Sequence, residues 1–352
     1  MELLQNSLYA EDLRNVAALP LPWEQLKGRS ILISGATGMI GSFLVDLLMY
    51  LNGDGLGCTV YALGRNANKA SARFSAFWND PLFHFISCDI NQGLPQDLPG
   101  MDYIFHAASN THPVAYATDP IGTVTTNIIG TYNLLEFAAQ HHSRRFVFAS
   151  TVEVYGENRG DTDTFSEEYC GYIDCNTLRA GYPESKRAGE ALCQAYIRQK
   201  ELDVVIPRLS RVYGPTMLMS DTKALSQFIK KGVAGEDIIL KSEGTQFFSY
   251  SYMADAVAGV LYCLFHGQCG EAYNIADPAS DIALRDLAGI IAKHAGKQVV
   301  FELPDAVEQA GYSKATKAIL CSKKLQTLGW HALYTIQDGL TRTIEILKET
   351  DE

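Results

Sequence analysis

The chain has 352 residues, 47% of them hydrophobic and 20% charged, with 29 Gly and 12 Pro. That length suggests two domains or one large elaborated one, and the composition excludes a disordered, collagen-like or coiled-coil chain. With 29 basic and 40 acidic side chains the formal net charge is −11, which leaves no broad phosphate-neutralising surface and argues against nucleic acid as a partner.

Residues 1–28 read as a short helical extension running into Pro20, Pro22 and Trp23, a packing arm without chemistry. The start of the chain lacks the basic-then-apolar layout of a signal peptide. The most apolar stretch, residues 31–51, is interrupted by three glycines and by Ser34, Thr37, Ser42 and Asp46. A strand, turn and helix explain those interruptions better than a membrane span, so a soluble, cytoplasmic protein is expected. Eight cysteines are scattered without a CxxC pair; they are expected to be buried reduced thiols, and no metal site is assigned.

From Ser30 onward, short β-branched or apolar runs alternate with segments of helical period. Strands are predicted at 30–34, 59–63, 83–88, 103–106, 145–149 and 203–207, with helices at 39–51, 122–141 and 182–200. Six strands in that rhythm predict an α/β fold, a Rossmann-type doubly wound parallel sheet. After Tyr213-Gly214-Pro215 the rhythm changes, and the pieces at 225–232, 238–241 and 284–294 do not continue the alternation. Residues 213–352 are therefore read mainly as a smaller C-terminal α/β lobe. A segment near 250–276 is expected to return to the main domain, residues 29–212.

Between the first strand and the first helix, Gly35, Gly38 and Gly41 recur at three-residue spacing. Gly35 permits a tight turn, Gly38 a close approach of backbone to a pyrophosphate, and Gly41 close packing of helix on sheet. Together with Thr37, Met39 and Ile40 they form a candidate dinucleotide cradle at a helix N-terminus. The second strand ends in Gly64-Arg65-Asn66 rather than in an acid. An acid there would bind a ribose 2′-hydroxyl, whereas Arg65 can pair with a 2′-phosphate; NADP is favoured and NAD left open. Asp89 and Ile90 are placed near the adenine edge, and Ala107 and Ala108 are small where a cofactor passes close.

Tyr182 and Lys186 are i and i+4, hence on one helical face. A phenol is a poor base at a pKa of roughly 10; bringing it down by ~3 units takes about 4 kcal/mol, which a nearby ammonium and a nicotinamide charge supply in a desolvated site. Thr151 and Glu153 follow the fifth strand, at the sheet edge where sites of this class lie. Thr151 can donate to a sugar hydroxyl or a developing carbonyl, and Glu153 adds a carboxylate.

In this order, Gly-xx-Gly-xx-Gly, Ser-Thr-x-Glu-Val-Tyr-Gly and Tyr-xxx-Lys resemble an extended short-chain dehydrogenase/reductase. More narrowly, they resemble the NAD-dependent epimerase/dehydratase branch that acts on nucleotide sugars. The resemblance spans about residues 29 to 345 and includes Asn127-Ile128-Ile129-Gly130-Thr131, the 208–215 run, Asp255 and the 270–275 run. It implies an NAD(P) cofactor, with Asn127 in the cofactor set. It also implies that Tyr182 is the general base, that Lys186 lowers its pKa and holds the cofactor ribose, and that Thr151 fills the Ser/Thr position.

Glu153 matches a glutamate of sugar 4,6-dehydratases and UDP-glucuronate decarboxylases. Val152 departs from both patterns, standing where the former usually carry Asp and the latter Ser. The tracts 179–187 and 244–250 look most like the decarboxylases. Yet Phe248 falls where that group has an arginine on the diphosphate or the sugar, and Arg211 where relatives often have a substrate-binding Asn. Arg211 is expected to supply the lost anion contact or else to pair between lobes.

The implied activity is oxidation of a sugar carbinol at C4, followed by epimerisation or decarboxylation. The alternatives are an NAD(P)H-dependent keto-sugar reductase and a non-catalytic dinucleotide sensor. The resemblance further implies a homodimer through the helices at 122–141 and 182–200, which carry Leu134, Leu135, Phe137, Leu192 and Tyr196.

Overall fold

The computed structural model describes residues 2–111, 116, 118–302 and 316–350. Its strands are β1 (Ser30–Ser34), β2 (Thr59–Gly64), β3 (Phe83–Ser87), β4 (Tyr103–His106), β5 (Arg145–Phe148), β6 (Ser150–Thr151), β7 (Val204–Leu209), β8 (Arg211–Tyr213), β9 (Ile238–Leu240), β10 (Phe247–Tyr252), β11 (Ala272–Ile275), β12 (Asp281–Ala283), β13 (Val299–Phe301) and β14 (Lys317–Ala318). The main sheet runs β11-β7-β5-β4-β1-β2-β3, with β6 also paired to β7. Every pairing in it is parallel. Leu32, Ile33, Val60, Ile104, Phe105, Phe146 and Val147 are buried, as expected of parallel strands covered on both faces.

The chain moves outward from β1 to β3 and then returns to lay β4 on the other side of β1. This is the switch point beside which doubly wound sheets bind ligands. The strand predicted at 203–207 extends to Leu209, far enough to pair with both β6 and β11. A second sheet joins β12, β10 and β14, with β8 paired to β10.

Two expectations need correction. The helix predicted at 122–141 is interrupted: Pro120–Thr125 and Thr131–Gln140 are α-helical, and Thr126–Gly130 between them is a π turn. Gly130 ends this turn, and Ile90 packs so closely on it that its Cδ1 would lie 2.5 Å from a Cβ at that position. The cysteines are all free, but only Cys58, Cys193 and Cys263 are buried; Cys170, Cys175 and Cys269 are exposed. Cys170 and Cys175 lie in the connection between β6 and the helix Gly181–Lys200, and Cys269 in the turn before β11, outside the packed elements.

The helix Ser7–Ala17 is a buried part of the fold. Asn6 Oδ1 caps it, accepting from the N–H groups of Leu8 and Tyr9 at 3.0 and 3.1 Å. Tyr9, Leu13 and Val16 are buried on its inner face. Its Asp12 accepts from Tyr252 at 2.5 Å and from Arg342 at 2.9 Å, tying together β10 and the last helix, Ile336–Thr350.

Inside the main sheet a hydrogen-bonded relay connects the turn after β1 with the helix Gly181–Lys200. The Ala108 N–H donates to Ser34 Oγ at 3.3 Å, and Ser34 Oγ lies 2.7 Å from His106 Nδ1. His106 Nε2 is 2.9 Å from Thr131 Oγ1, which itself donates to the Asn127 carbonyl at 2.6 Å. Asn127 Nδ2 donates to Ser185 Oγ at 2.9 Å, and that hydroxyl donates to the Tyr182 carbonyl at 2.9 Å. Because the Thr131 proton is committed to Asn127, His106 donates from Nε2, and in its neutral form it accepts at Nδ1. Burial pushes its pKa well below the ordinary value, and the Lys186 charge adds to this.

A histidine that protonates when unfolded but not when folded costs stability as the pH falls, by about 1.4 kcal/mol per unit below its ordinary pKa of roughly 6.5. The stability difference between wild type and His106→Gln, measured by urea unfolding, is therefore expected to narrow from about pH 7 to about pH 5. A difference that stays constant over that window would show that the imidazole is not held neutral.

Candidate active site

The turn after β1 leaves no space for side chains. Gly35 has φ +71°, and a Cβ there would stand 2.8 Å from Ala108 N and 2.9 Å from Ala107 C. At Gly41 a Cβ would meet Gly35 O at 2.5 Å. The helix Met39–Gly53 begins directly after Gly38 and has no side-chain cap, so its first N–H groups are offered to whatever fills the turn. Half-buried Thr37, Met39 and Ile40 surround it. A bare backbone cradle at an uncapped helix start fits a dinucleotide diphosphate.

Of the remaining predicted cofactor residues, Ala107 and Ala108 pack against this turn. Arg65 is exposed just past β2, Ala107 and Ala108 are half-buried against Gly35, and Ile90 is buried. The Asp89 carboxylate accepts the Asn91 N–H at 3.0 Å. Asn127 is fully buried with its Oδ1 unpartnered among the described residues.

The predicted reactive pair is buried beside the same turn. Ala107 N–H donates to the Ser34 carbonyl at 3.2 Å, and Ala149 N–H to the His106 carbonyl at 3.0 Å. The Ala149 carbonyl then receives the Lys186 ammonium at 2.9 Å. Lys186 is 3% exposed, and burial pushes its pKa down to about 8, opposed by the Glu190 carboxylate one turn on. Glu190 is itself held by Arg208 at 2.6 and 2.9 Å and by Ser150 at 2.5 Å.

Tyr182 shares the Lys186 face, as i and i+4 require, and the Thr151 hydroxyl favours the ionised form of its phenol. Burial, with the Glu153 charge, pushes the Tyr182 pKa above its ordinary value, while Thr151 and Arg179 work against that rise. The Lys186 ammonium, one helical turn on, is hydrogen-bonded to the Ala149 carbonyl.

Glu153 lies 3.0 Å from Arg179, and the Arg179 guanidinium stands 4.8 Å from the centre of the Tyr116 ring. That ring stacks on Tyr182 at 5.2 Å. Arg211 and Phe248 come together with the guanidinium carbon 3.5 Å from the ring centre. The alternative expectation of an interlobe ion pair fails among the described residues: no carboxylate reaches Arg211, and its buried Nη1 has no partner. Sequence reasoning missed the partners Arg179, Tyr116 and Glu190. Arg179 stands three residues before Tyr182 and Glu190 four after Lys186, spacings that could have pointed to them; nothing local marks Tyr116.

Residues 31–276 match the model of the NAD dependent epimerase/dehydratase family. Over 325 residues the chain is 31% identical to UDP-glucuronic acid decarboxylase 1 of Xenopus tropicalis, covering 91% of this chain and 72% of that one. It is 30% identical to UDP-glucuronic acid decarboxylase 6 of Arabidopsis thaliana, covering 88% and 86%. Among solved structures, a dTDP-glucose 4,6-dehydratase of Streptomyces venezuelae with NAD bound superposes with a TM-score of 0.76 at 26% identity, covering 91% of this chain and 97% of that one. The fold is also shared with the UDP-glucuronic acid 4-epimerase of Bacillus cereus, at a TM-score of 0.75 and 24% identity over 91% and 99% of the chains. The chain belongs to the NAD-dependent epimerase/dehydratase family and is an NAD(P)-dependent enzyme of the extended short-chain dehydrogenase/reductase type.

Proposed function

We propose that the protein oxidises C4 of a UDP-linked uronic acid and releases the sugar carboxylate as CO2. The observation that carries this reading is the cluster of buried Tyr182 and Lys186 with half-buried Thr151, contiguous with the glycine cradle through Ala149, His106 and Ala107. The identity to UDP-glucuronic acid decarboxylases supports the choice of substrate.

A bound dinucleotide supplies a hydride acceptor at its nicotinamide. Tyr182 takes the proton of the C4 hydroxyl, with Thr151 donating to its oxygen and favouring the ionised form. The C6 carboxylate is then β to a ketone. Its C5–C6 bond breaks to release CO2, the electron pair moving into an enolate whose oxygen is at C4. Thr151 and Tyr182 are the hydroxyl donors available to that oxygen. Glu153, held by Arg179, is assigned to carry the proton to C5. The C4 ketone would then take the hydride back and a proton from Tyr182, so that a UDP-pentose leaves and the dinucleotide ends oxidised.

Residues 29–212 hold the dinucleotide, and 213–352 mainly close over the sugar in this reading. Arg65, exposed past an acid-free strand end, favours NADP over NAD. The exposed apolar side chains Ile121, Ile129, Tyr132 and Leu178 support a homodimer through the 120–140 and 181–200 regions.

Incubation with UDP-glucuronate labelled with carbon-13 at C6, in NADP or NAD, is expected to yield labelled CO2 and a UDP-pentose without net loss of dinucleotide, faster with NADP. A product of unchanged mass, or stoichiometric consumption of reduced dinucleotide, would overturn the decarboxylase assignment. Analytical ultracentrifugation is expected to show a dimer that Ile129→Glu together with Tyr132→Glu converts to a monomer; a wild-type monomer would refute that interface.

A further inference from the structure

Arg211 sits on β8 opposite Tyr250 of β10, and Phe248 is two residues before Tyr250 on the same strand. Paired and alternate residues of neighbouring strands share a face, so guanidinium, phenyl and phenol are brought to one side of this sheet. The guanidinium lies over the Phe248 ring at 3.5 Å. That contact orients the cation but satisfies none of its five N–H donors. Nη1 is buried without a hydrogen-bond partner among the described residues.

Burial lowers the Arg211 pKa, with Tyr250 and Glu153 opposing and Arg179 adding to the effect. A guanidinium nonetheless remains charged under ordinary conditions. Glu153, the carboxylate that Arg211 feels, is already engaged by Arg179 at 3.0 Å. A half-buried cation whose Nη1 is cut off from water and that lacks a carboxylate is costly unless an anion arrives with the ligand.

We infer that Arg211, laid on Phe248, is the receptor for an oxyanion carried by the substrate, its planar fork taking two oxygens of a phosphate or a carboxylate. This deepens the proposed function and rests on it. A nucleotide sugar brings a diphosphate, and a uronic acid adds a carboxylate; the recognition chemistry is common to both. Phe248 is then a positioning residue, since it acts through the guanidinium it supports.

The test titrates UDP, UDP-glucose and UDP-glucuronate into dinucleotide-loaded wild type, Arg211→Gln and Arg211→Lys, with unfolding curves to confirm that the variants are folded. Loss of a charged bidentate contact is expected to weaken binding about ten- to hundredfold in Arg211→Gln, with partial recovery in Arg211→Lys. Equal weakening of all three ligands assigns the diphosphate, and weakening of UDP-glucuronate alone assigns the carboxylate. Unchanged affinities for all three in folded Arg211→Gln would overturn the inference while leaving the proposed function standing. Thermal shifts with pyrophosphate and with glucuronate separate the two claims. If wild type binds no nucleotide sugar, an anion-induced shift that Arg211→Gln loses still supports the receptor, and no shift overturns it.

Discussion

The site depends on one close approach, the backbone of the turn after β1 lying against the end of β4. Gly35 makes it possible, because any side chain there would collide with Ala107 and Ala108. The approach brings Ser34 to His106 and starts the relay through Thr131, Asn127 and Ser185 that ends on the backbone of Tyr182. Cradle and reactive phenol are thereby held in one hydrogen-bonded frame with defined donor directions. The π turn at Thr126–Gly130 belongs to the same arrangement, since Asn127 within it spans from the Thr131 hydroxyl to Ser185.

Burial is the dominant electrostatic influence on the two reactive groups, and it acts on them in opposite directions. It favours the neutral form of both, so the phenol rises while the ammonium falls to about 8. Lys186 accordingly acts as a tethered cation on the Ala149 carbonyl, beside a Glu190 fixed by Arg208. Ionising Tyr182 relies on the Thr151 hydroxyl and the Arg179 charge, and in the proposed function on the charge of the nicotinamide. In the proposed function, Arg179 paired with Glu153 and Arg211 without a carboxylate among the described residues give the sugar side a positive charge suited to an anionic substrate.

Features encoded by short-range spacing were legible in the sequence. The glycine triplet, the i and i+4 tyrosine and lysine, and the alternating strands each follow from local geometry, and the strand limits moved by only a residue or two. Contacts between distant segments were not legible. Arg179 reaches Glu153 across 26 positions and Asn127 reaches Ser185 across 58, and neither pairing leaves a periodic trace. In the 122–141 stretch the π turn leaves no breaker residue to read, and the close packing of Ile90 on Gly130 joins segments 40 positions apart. The bond from Lys186 to the Ala149 carbonyl was likewise not legible, because residues on one helical face still take partners from the tertiary surroundings.

The claim on which this account turns is that the Tyr182 oxygen removes the sugar proton. It is tested most directly by mixing dinucleotide-loaded protein with UDP-glucuronate in a single turnover and following the absorbance of reduced nicotinamide. Wild type should show a transient rise, and Tyr182→Phe should form the reduced species about 10²- to 10⁴-fold more slowly while binding dinucleotide and nucleotide sugar with unchanged affinity. A rise of equal rate and amplitude in Tyr182→Phe would contradict the assignment of the base.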